Sequence, residues 1–179
     1  MSAEALWYLG RGTGVMALLL LTAAVAAGVL TWSGRTVAGV PRFAVATVHR
    51  NAGLIATILL LVHVGTLLFD PYAQLSIVDI LVPFAGTYRP LWLGLGTVAF
   101  DLLLAVVITS LLRNRIGLRG WRAVHWFAYA AWPFALLHAL GIGSDTGQWW
   151  LRLLATLCFV IVAAAAIARF GSHDQEVLT

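Results

Sequence analysis

The chain of 179 residues contains no lysine, one cysteine and few charged residues of either sign. Charged side chains make up 10% of the sequence and hydrophobic ones 61%, and the mean hydropathy is +0.94. This composition excludes an ordinary water-soluble domain, in which about a quarter of the residues are charged. The single cysteine, Cys158, cannot form an internal disulfide, and it lies in an apolar run. We therefore expect it to be a buried thiol.

Long polar segments are also missing, whereas several apolar runs are long enough to cross a bilayer. A helix needs about 20 residues to span the hydrocarbon core. Five runs suit this length, at residues 13–31, 43–69, 91–112, 120–142 and 149–170. A shorter apolar run at 74–84 predicts a surface or re-entrant helix. The sequence thus predicts an all-α integral membrane protein, with one domain over residues 1–179, five transmembrane helices and one short interfacial helix.

The first apolar run has two interpretations. Residues 24–26 (Ala-Val-Ala) resemble the cleavage site of a signal peptide. The run continues past this site, however, and the preceding segment contains Glu4 and Arg11 where a signal peptide carries a basic cluster. We therefore expect this run to be retained as the first span.

The arginines predict the orientation of the chain. In membrane proteins, basic residues concentrate in the cytoplasmic loops. With five spans, eight of the eleven arginines fall on one side, namely Arg35, Arg42, Arg50, Arg113, Arg115, Arg119, Arg122 and Arg169. This predicts a multi-pass protein of the cell membrane, with its N-terminus outside and its C-terminus in the cytoplasm. The same clustering explains the pI near 10.0 without a nucleic acid as partner.

Four of the five histidines lie within apolar runs as two pairs. His49 and His63 are fourteen residues apart in the second predicted span, and His125 and His138 are thirteen apart in the fourth. Ionisable side chains are costly inside a membrane and usually functional. The two spans run in the same direction, so His49 and His125 share a depth near the cytoplasm, called here the inner tier. His63 and His138 form the outer tier, about 20 Å further out.

The helical phase favours one spacing over the other. Fourteen residues bring His63 back to within about 40° of His49, whereas thirteen leave His138 about 140° from His125 on an ideal helix. Pro133 lies between the second pair. A proline can kink or rewind a helix, and we expect it to change the phase here.

Two histidines in each tier suit haem iron better than zinc. A zinc site needs three or four converging ligands, whereas a porphyrin leaves only two axial positions to be filled. With both positions taken, electron transfer is the expected chemistry. Arg50 and Arg122, beside the inner tier, either pair with haem propionates or mark the membrane edge. Trp126, next to His125, is a candidate to pack against the porphyrin.

The segments around the histidines, residues 47–63 and 122–138, resemble the ferric reductase-like transmembrane domain. That group includes the membrane parts of ferric reductases and NADPH oxidases, and the haem-binding subunit of the bacterial periplasmic methionine sulfoxide reductase. The fourteen- and thirteen-residue spacings are the most specific element of the resemblance. It implies two stacked b-type haems per chain, held by His49 with His125 and by His63 with His138, and electron transfer outward.

Two departures from that family bear on the partners. Its members usually have six spans where five are expected here, and no flavin and nicotinamide domain follows the last span in this sequence. We therefore expect a separate flavoprotein reductase, which supplies the flavin, or a quinol as electron donor. An extracytoplasmic acceptor and membrane lipid complete the expected partners. Two alternatives remain open: a haem-containing anchor for a dedicated extracytoplasmic oxidoreductase, and a histidine-lined transporter or metal permease.

Overall fold

The computed structural model describes residues 3–32, 40–73, 75–143 and 145–170, and within these ranges it contains helices and no β-strand. The helices are α1 (Ala3–Trp32), α2 (Arg42–Leu68), α3 (Ile77–Leu81), α4 (Pro90–Leu111), α5 (Arg113–His125), α6 (Phe127–Ile142) and α7 (Trp149–Phe170). The all-helical prediction is confirmed.

Four helices, α1, α2, α4 and α7, are long and apolar enough to cross a membrane. The fifth apolar helix, α6, has 16 residues and is about 24 Å long at 1.5 Å per residue, somewhat less than the ~30 Å hydrocarbon core. The prediction of a multi-pass membrane protein is confirmed. The structure thus contains four full-length candidate spans and one shorter apolar helix, and the predicted count of five spans is not confirmed.

The predicted fourth span, 120–142, is divided in the structure. Residues 120–125 belong to α5, and a turn at Trp126 precedes α6. The apolar helix α6 therefore begins at Phe127, seven residues after the predicted start of this span. The first part of α5 is exposed. This helix contains four arginines, and its helical geometry is interrupted at Gly117, where φ is 76°. An amphipathic, arginine-rich helix of this kind is typical of a membrane surface.

α1 occupies the centre of the bundle and packs against α2, α6 and α7. Residues from all four helices form its main apolar core, namely Leu18, Leu21, Val25, Ala56, Trp132, Leu136, Ala155 and Cys158. Cys158 is 1% exposed, as expected for a buried thiol. Across this core the indole Nε1–H of Trp132 donates to the hydroxyl of Thr22 at 2.9 Å.

α1 begins at Ala3, ten residues before the predicted first span. Glu4 in its first turn suits the positive end of the helix dipole. Arg11 forms an ion pair with Asp145 between α6 and α7, and its guanidinium lies 4.0 Å from the centre of the Trp7 ring. The polar first turns of α1 are thus stabilised by partners outside the apolar run.

The predicted helix at 74–84 is shorter in the structure, where α3 covers Ile77–Leu81. Ser76 caps its N-terminus through a reciprocal hydrogen-bond pair with Asp79. The Thr97 hydroxyl of α4 donates to the Asp79 carbonyl at 2.7 Å, and Phe84 packs against Gly94 of α4. These contacts attach α3 to the N-terminal half of α4.

Candidate functional site

The structure brings His49 and His125 together, and it places His63 and His138 further along the same two helical segments. His49 and His63 lie on α2, His138 lies on α6, and His125 is the last residue of α5. The ring centroids of His49 and His125 are 5.9 Å apart with an interplanar angle of 73°. Each tier therefore contains one histidine of α2 and one from the α5–α6 segment.

In the outer tier, His63 is held by α1. Its Nδ1–H donates to the backbone carbonyl of Gly10 at 2.6 Å. The ring lies directly against Gly14, one turn further along α1, where a Cβ atom would come within 2.8 Å of the imidazole. Any side chain at position 14 would therefore displace the ring.

His138 is held in the same way by α4. Its Nδ1–H donates to the carbonyl of Trp92 at 2.8 Å, and its ring lies against Gly96, where no Cβ could fit without displacing it. The Trp92 indole in turn packs against Gly141 of α6. Arg89 donates to the carbonyl of that same glycine at 2.7 Å. The outer end of α6 is therefore fixed to the start of α4 at His138 and, three residues later, at Gly141.

In the inner tier, His49 repeats the arrangement on α1. Its Nδ1–H donates to the carbonyl of Ala24 at 2.8 Å. The ring lies against Gly28, where a Cβ would be 3.2 Å away. This contact is looser than those of the outer tier.

One rule describes these three contacts: the histidine donates to the carbonyl at position i of a neighbouring helix and lies against a glycine at position i+4. We call this arrangement the carbonyl–glycine pair. In a helix the carbonyl of residue i points towards residue i+4, whose N–H it accepts. A side chain at i+4 would shield the second lone pair of that oxygen. Glycine exposes it, so an imidazole can approach and donate a second hydrogen bond.

The carbonyl–glycine pair fixes the tautomer of each ring. A carbonyl oxygen can only accept, so Nδ1 must carry the proton, and in a neutral imidazole Nε2 is then left with its lone pair. Ligand histidines in metalloproteins commonly donate their other N–H to a backbone carbonyl in this way. His49, His63 and His138 therefore have the protonation pattern of metal ligands.

The spacing of the inner-tier rings is compatible with one metal between them. Metal–imidazole bonds of about 2 Å place two opposing ring centroids roughly 6 Å apart, close to the 5.9 Å observed for His49 and His125. Among the described residues, no group of three or more His, Cys, Asp or Glu side chains could hold a metal ion. Two imidazoles in each tier match the axial ligand set of a haem, which supplies its own equatorial nitrogens.

His125 is the exception to the rule. Its Nδ1 atom is buried and has no hydrogen-bond partner among the described residues. Its ring instead stacks on Trp121, one turn earlier in α5, with centroids 4.9 Å apart and an interplanar angle of 32°. The Trp121 Nε1–H donates to the Ser110 hydroxyl of α4 at 3.1 Å. His125 is thus supported by the side chain of Trp121, whereas the other three histidines are bonded to a backbone carbonyl.

The other predicted site residues lie at the surface beside the inner tier. Arg50 and Arg122 are exposed, and Trp126 is 45% exposed with its ring 5.1 Å from that of Tyr129. The aromatic side chain that stacks on His125 is Trp121, which the sequence analysis did not single out as a site residue. Its position four residues before His125 was the available signal, because residues i and i+4 are neighbours on a helix.

The comparisons with known proteins agree with this architecture. The profile of the family described as "Ferric reductase like transmembrane component" matches residues 13–136, which include His49, His63 and His125. No curated protein and no solved structure shows a significant match to the chain.

Proposed function

The chain belongs to the family of ferric reductase-like transmembrane components, and on this premise we propose that it binds two b-type haems and carries electrons across the membrane. The observation that carries this proposal is the pairing of four intramembrane histidines, three of which hold Nδ1–H on a backbone carbonyl. When bound, haem iron would supply one-electron transfer.

The residues divide into ligands and supports. His49 and His125 hold the inner haem, and His63 and His138 the outer one, about 20 Å away along α2. Arg50 and Arg122 are placed to pair with propionates at the inner surface, where guanidinium binds carboxylate with two parallel hydrogen bonds.

The proposed direction of electron transfer follows from the arginines. We propose that the inner tier faces the cytoplasm and receives electrons from a separate flavoprotein reductase or a quinol, and that the outer tier delivers them to an extracytoplasmic acceptor. A reporter fused after Thr179 should then be cytoplasmic, and one fused before Met1 extracytoplasmic. The opposite result would reverse the electron path.

The acceptor is proposed to contact the segment around α3. Ile77, Leu81 and Tyr88 there are each more than half exposed, and α3 is attached to α4, the helix that supports His138. Polar substitutions at these positions should slow reoxidation by the natural acceptor and leave the haem spectrum unchanged. Slower reduction from the donor side would contradict this placement.

Haem quantification tests the proposal most directly. The purified chain should be red, contain two haems and show sharp absorption bands after reduction with dithionite. NADH or NADPH alone should not reduce it, whereas an added flavin reductase or a quinol should. A colourless protein would contradict the haem assignment and favour a histidine-lined transporter.

A further inference from the structure

His125 lacks the carbonyl–glycine pair that supports each of the other three histidines. His125 has a buried Nδ1 without a partner among the described residues, although it lies opposite His49 in the inner tier. An unpaired buried donor costs free energy, typically about 1–3 kcal/mol. The positions of α4, the helix that supports His138, indicate why no carbonyl–glycine pair forms here.

The register of the helices identifies that feature. His49 precedes His63 by fourteen residues on α2. Its partner carbonyl, that of Ala24, follows the partner of His63, Gly10, by fourteen residues on α1. His125 precedes His138 by thirteen residues. The same antiparallel register therefore pairs it with the carbonyl thirteen residues after Trp92 on α4, which is that of Ala105. The position that glycine occupies in the other three cases, four residues after the carbonyl, is here Thr109.

Thr109 prevents a carbonyl–glycine pair in two ways. Its hydroxyl donates to the carbonyl of Ala105 at 2.7 Å, so the second lone pair of that oxygen is already used. Its branched side chain also stands at the position that glycine occupies in the other three cases. Thr109 thus removes both requirements of a carbonyl–glycine pair, the free lone pair on the carbonyl and the glycine four residues later.

Trp121 provides a different support. Its ring stacks on His125, and its indole N–H is anchored on Ser110, the residue that follows Thr109 on α4. The Ser110 hydroxyl donates to the carbonyl of Val106 at 2.6 Å. The chain of contacts from α4 to His125 therefore runs through two side chains.

We propose that Trp121 is the positioning residue for His125, and that Thr109 imposes this support by closing the carbonyl that would otherwise bind the ring. The inference rests on the proposed haem ligation. Its consequence is electronic, because a ligand imidazole whose Nδ1–H is hydrogen-bonded donates more strongly to iron. The ferric state is then favoured and the potential falls. His125 lacks this effect, so the inner tier has one fewer potential-lowering hydrogen bond than the outer tier.

A matched pair of variants at position 109 tests the role of the threonine. Thr109→Gly removes both the hydroxyl and the Cβ, so His125 can approach the Ala105 carbonyl, and the inner-tier midpoint potential should fall. Thr109→Ala removes the hydroxyl but keeps the Cβ that blocks the ring, and should leave that potential near wild type. The inner-tier transition is identified as the one missing from His125→Ala. Equal shifts in both variants, or no shift in either, would overturn the assignment of Thr109.

Substitutions of Trp121 test the stacking contact. Trp121→Leu should weaken retention of the inner haem by roughly tenfold or more, as expected when a ligand loses its outer-shell support. It should also change the paramagnetic resonance spectrum of that haem alone. Trp121→Phe, which keeps a stacking ring, should restore most of both properties. Trp149→Leu, at a tryptophan that is 73% exposed, is the control and should change neither.

The outcomes separate this inference from the proposed function. If the wild-type chain binds no haem, the proposed function fails. If it binds two haems and Trp121→Leu retains both with unchanged spectra, the positioning role fails while haem binding stands. Loss of both haems together in Trp121→Leu, without rescue by phenylalanine, would assign Trp121 to the fold and overturn its role at His125.

Discussion

The two tiers contain the same type of side chain but support it differently. Both histidines of the outer tier donate to a backbone carbonyl and lie against a glycine, and Arg89 and Trp92 fix the nearby helix ends to each other. In the inner tier only His49 has this support, while His125 ends an exposed surface helix and rests on Trp121. Backbone atoms inside packed helices hold a ring in one position, whereas a stacked side chain can adjust. The outer tier is therefore the more rigid of the two.

The largest expected effect distinguishes the tiers outright. His63→Ala or His138→Ala should remove the outer haem and spare at least part of the inner one, because each haem needs both axial ligands. His49→Ala or His125→Ala should do the reverse. Haem content per chain and redox titration measure the result. Two haems retained after any one of these changes would refute the pairing.

The glycines should give a graded effect that follows the closeness of each ring. Alanine at position 96 should disturb its tier most, since a Cβ there meets the His138 ring most closely. At Gly14 the Cβ would come within 2.8 Å of a ring, and at Gly28 within 3.2 Å. Haem retention should fall by roughly 10–100-fold at the tightest position and least at Gly28.

Gly53→Ala is the matched control for this series, because a Cβ at position 53 meets nothing within 4 Å. Haem retention in that variant should equal wild type. A loss at Gly53 as large as that at Gly96 would attribute the effect to the helices in general. The carbonyl–glycine pair would then have no special role.

The histidine pairs could be predicted from the sequence because helical rise and span direction convert residue spacing into depth. The carbonyls and glycines that support these histidines could not be predicted in this way. The acceptors of His49, His63 and His138 are backbone carbonyls, which leave no trace in residue identity. The glycines beside them lie on α1 and α4, remote in sequence from the rings that they contact. Only the register between antiparallel helices connects the two sets, and one sequence does not reveal that register.

The division between α5 and α6 was missed for a related reason. Apolar and aromatic residues continue from Trp121 through Ile142, so hydropathy shows one run. Trp126, at the break, keeps helical dihedral angles of −61° and −25°. The N–H of Tyr129 bonds to the carbonyl of Trp126, three residues back, at 3.1 Å. A tightened turn of this kind adds to the rotation per residue and reduces the phase mismatch that the sequence had assigned to Pro133 alone.

A core substitution should affect both tiers equally, unlike the glycines. Thr22 accepts the indole N–H of Trp132 between α1 and α6, at a depth between Gly14 and Gly28. Thr22→Val keeps the shape and removes this bond, which should cost about 0.6–1.7 kcal/mol inside a membrane bundle. Thermal unfolding should occur at a lower temperature, with both haems released together. Thr57→Val, which removes a hydroxyl bonded only within its own helix at Gly53, is the control. Selective loss of one haem in Thr22→Val would contradict a core shared by the tiers.

The smallest effect concerns the two arginines beside the inner tier. Removing a positive charge near a haem favours its oxidised state, so Arg50→Gln and Arg122→Gln should each lower the inner-tier potential slightly. Both side chains are exposed, and the shift should therefore shrink as ionic strength rises. The outer tier lies about 20 Å away, beyond the ~8 Å screening length at physiological salt, and should not change. Arg113→Gln, at the far end of α5, is the control. If neither arginine shifts the inner potential more than Arg113 does, their role is to orient the chain in the membrane.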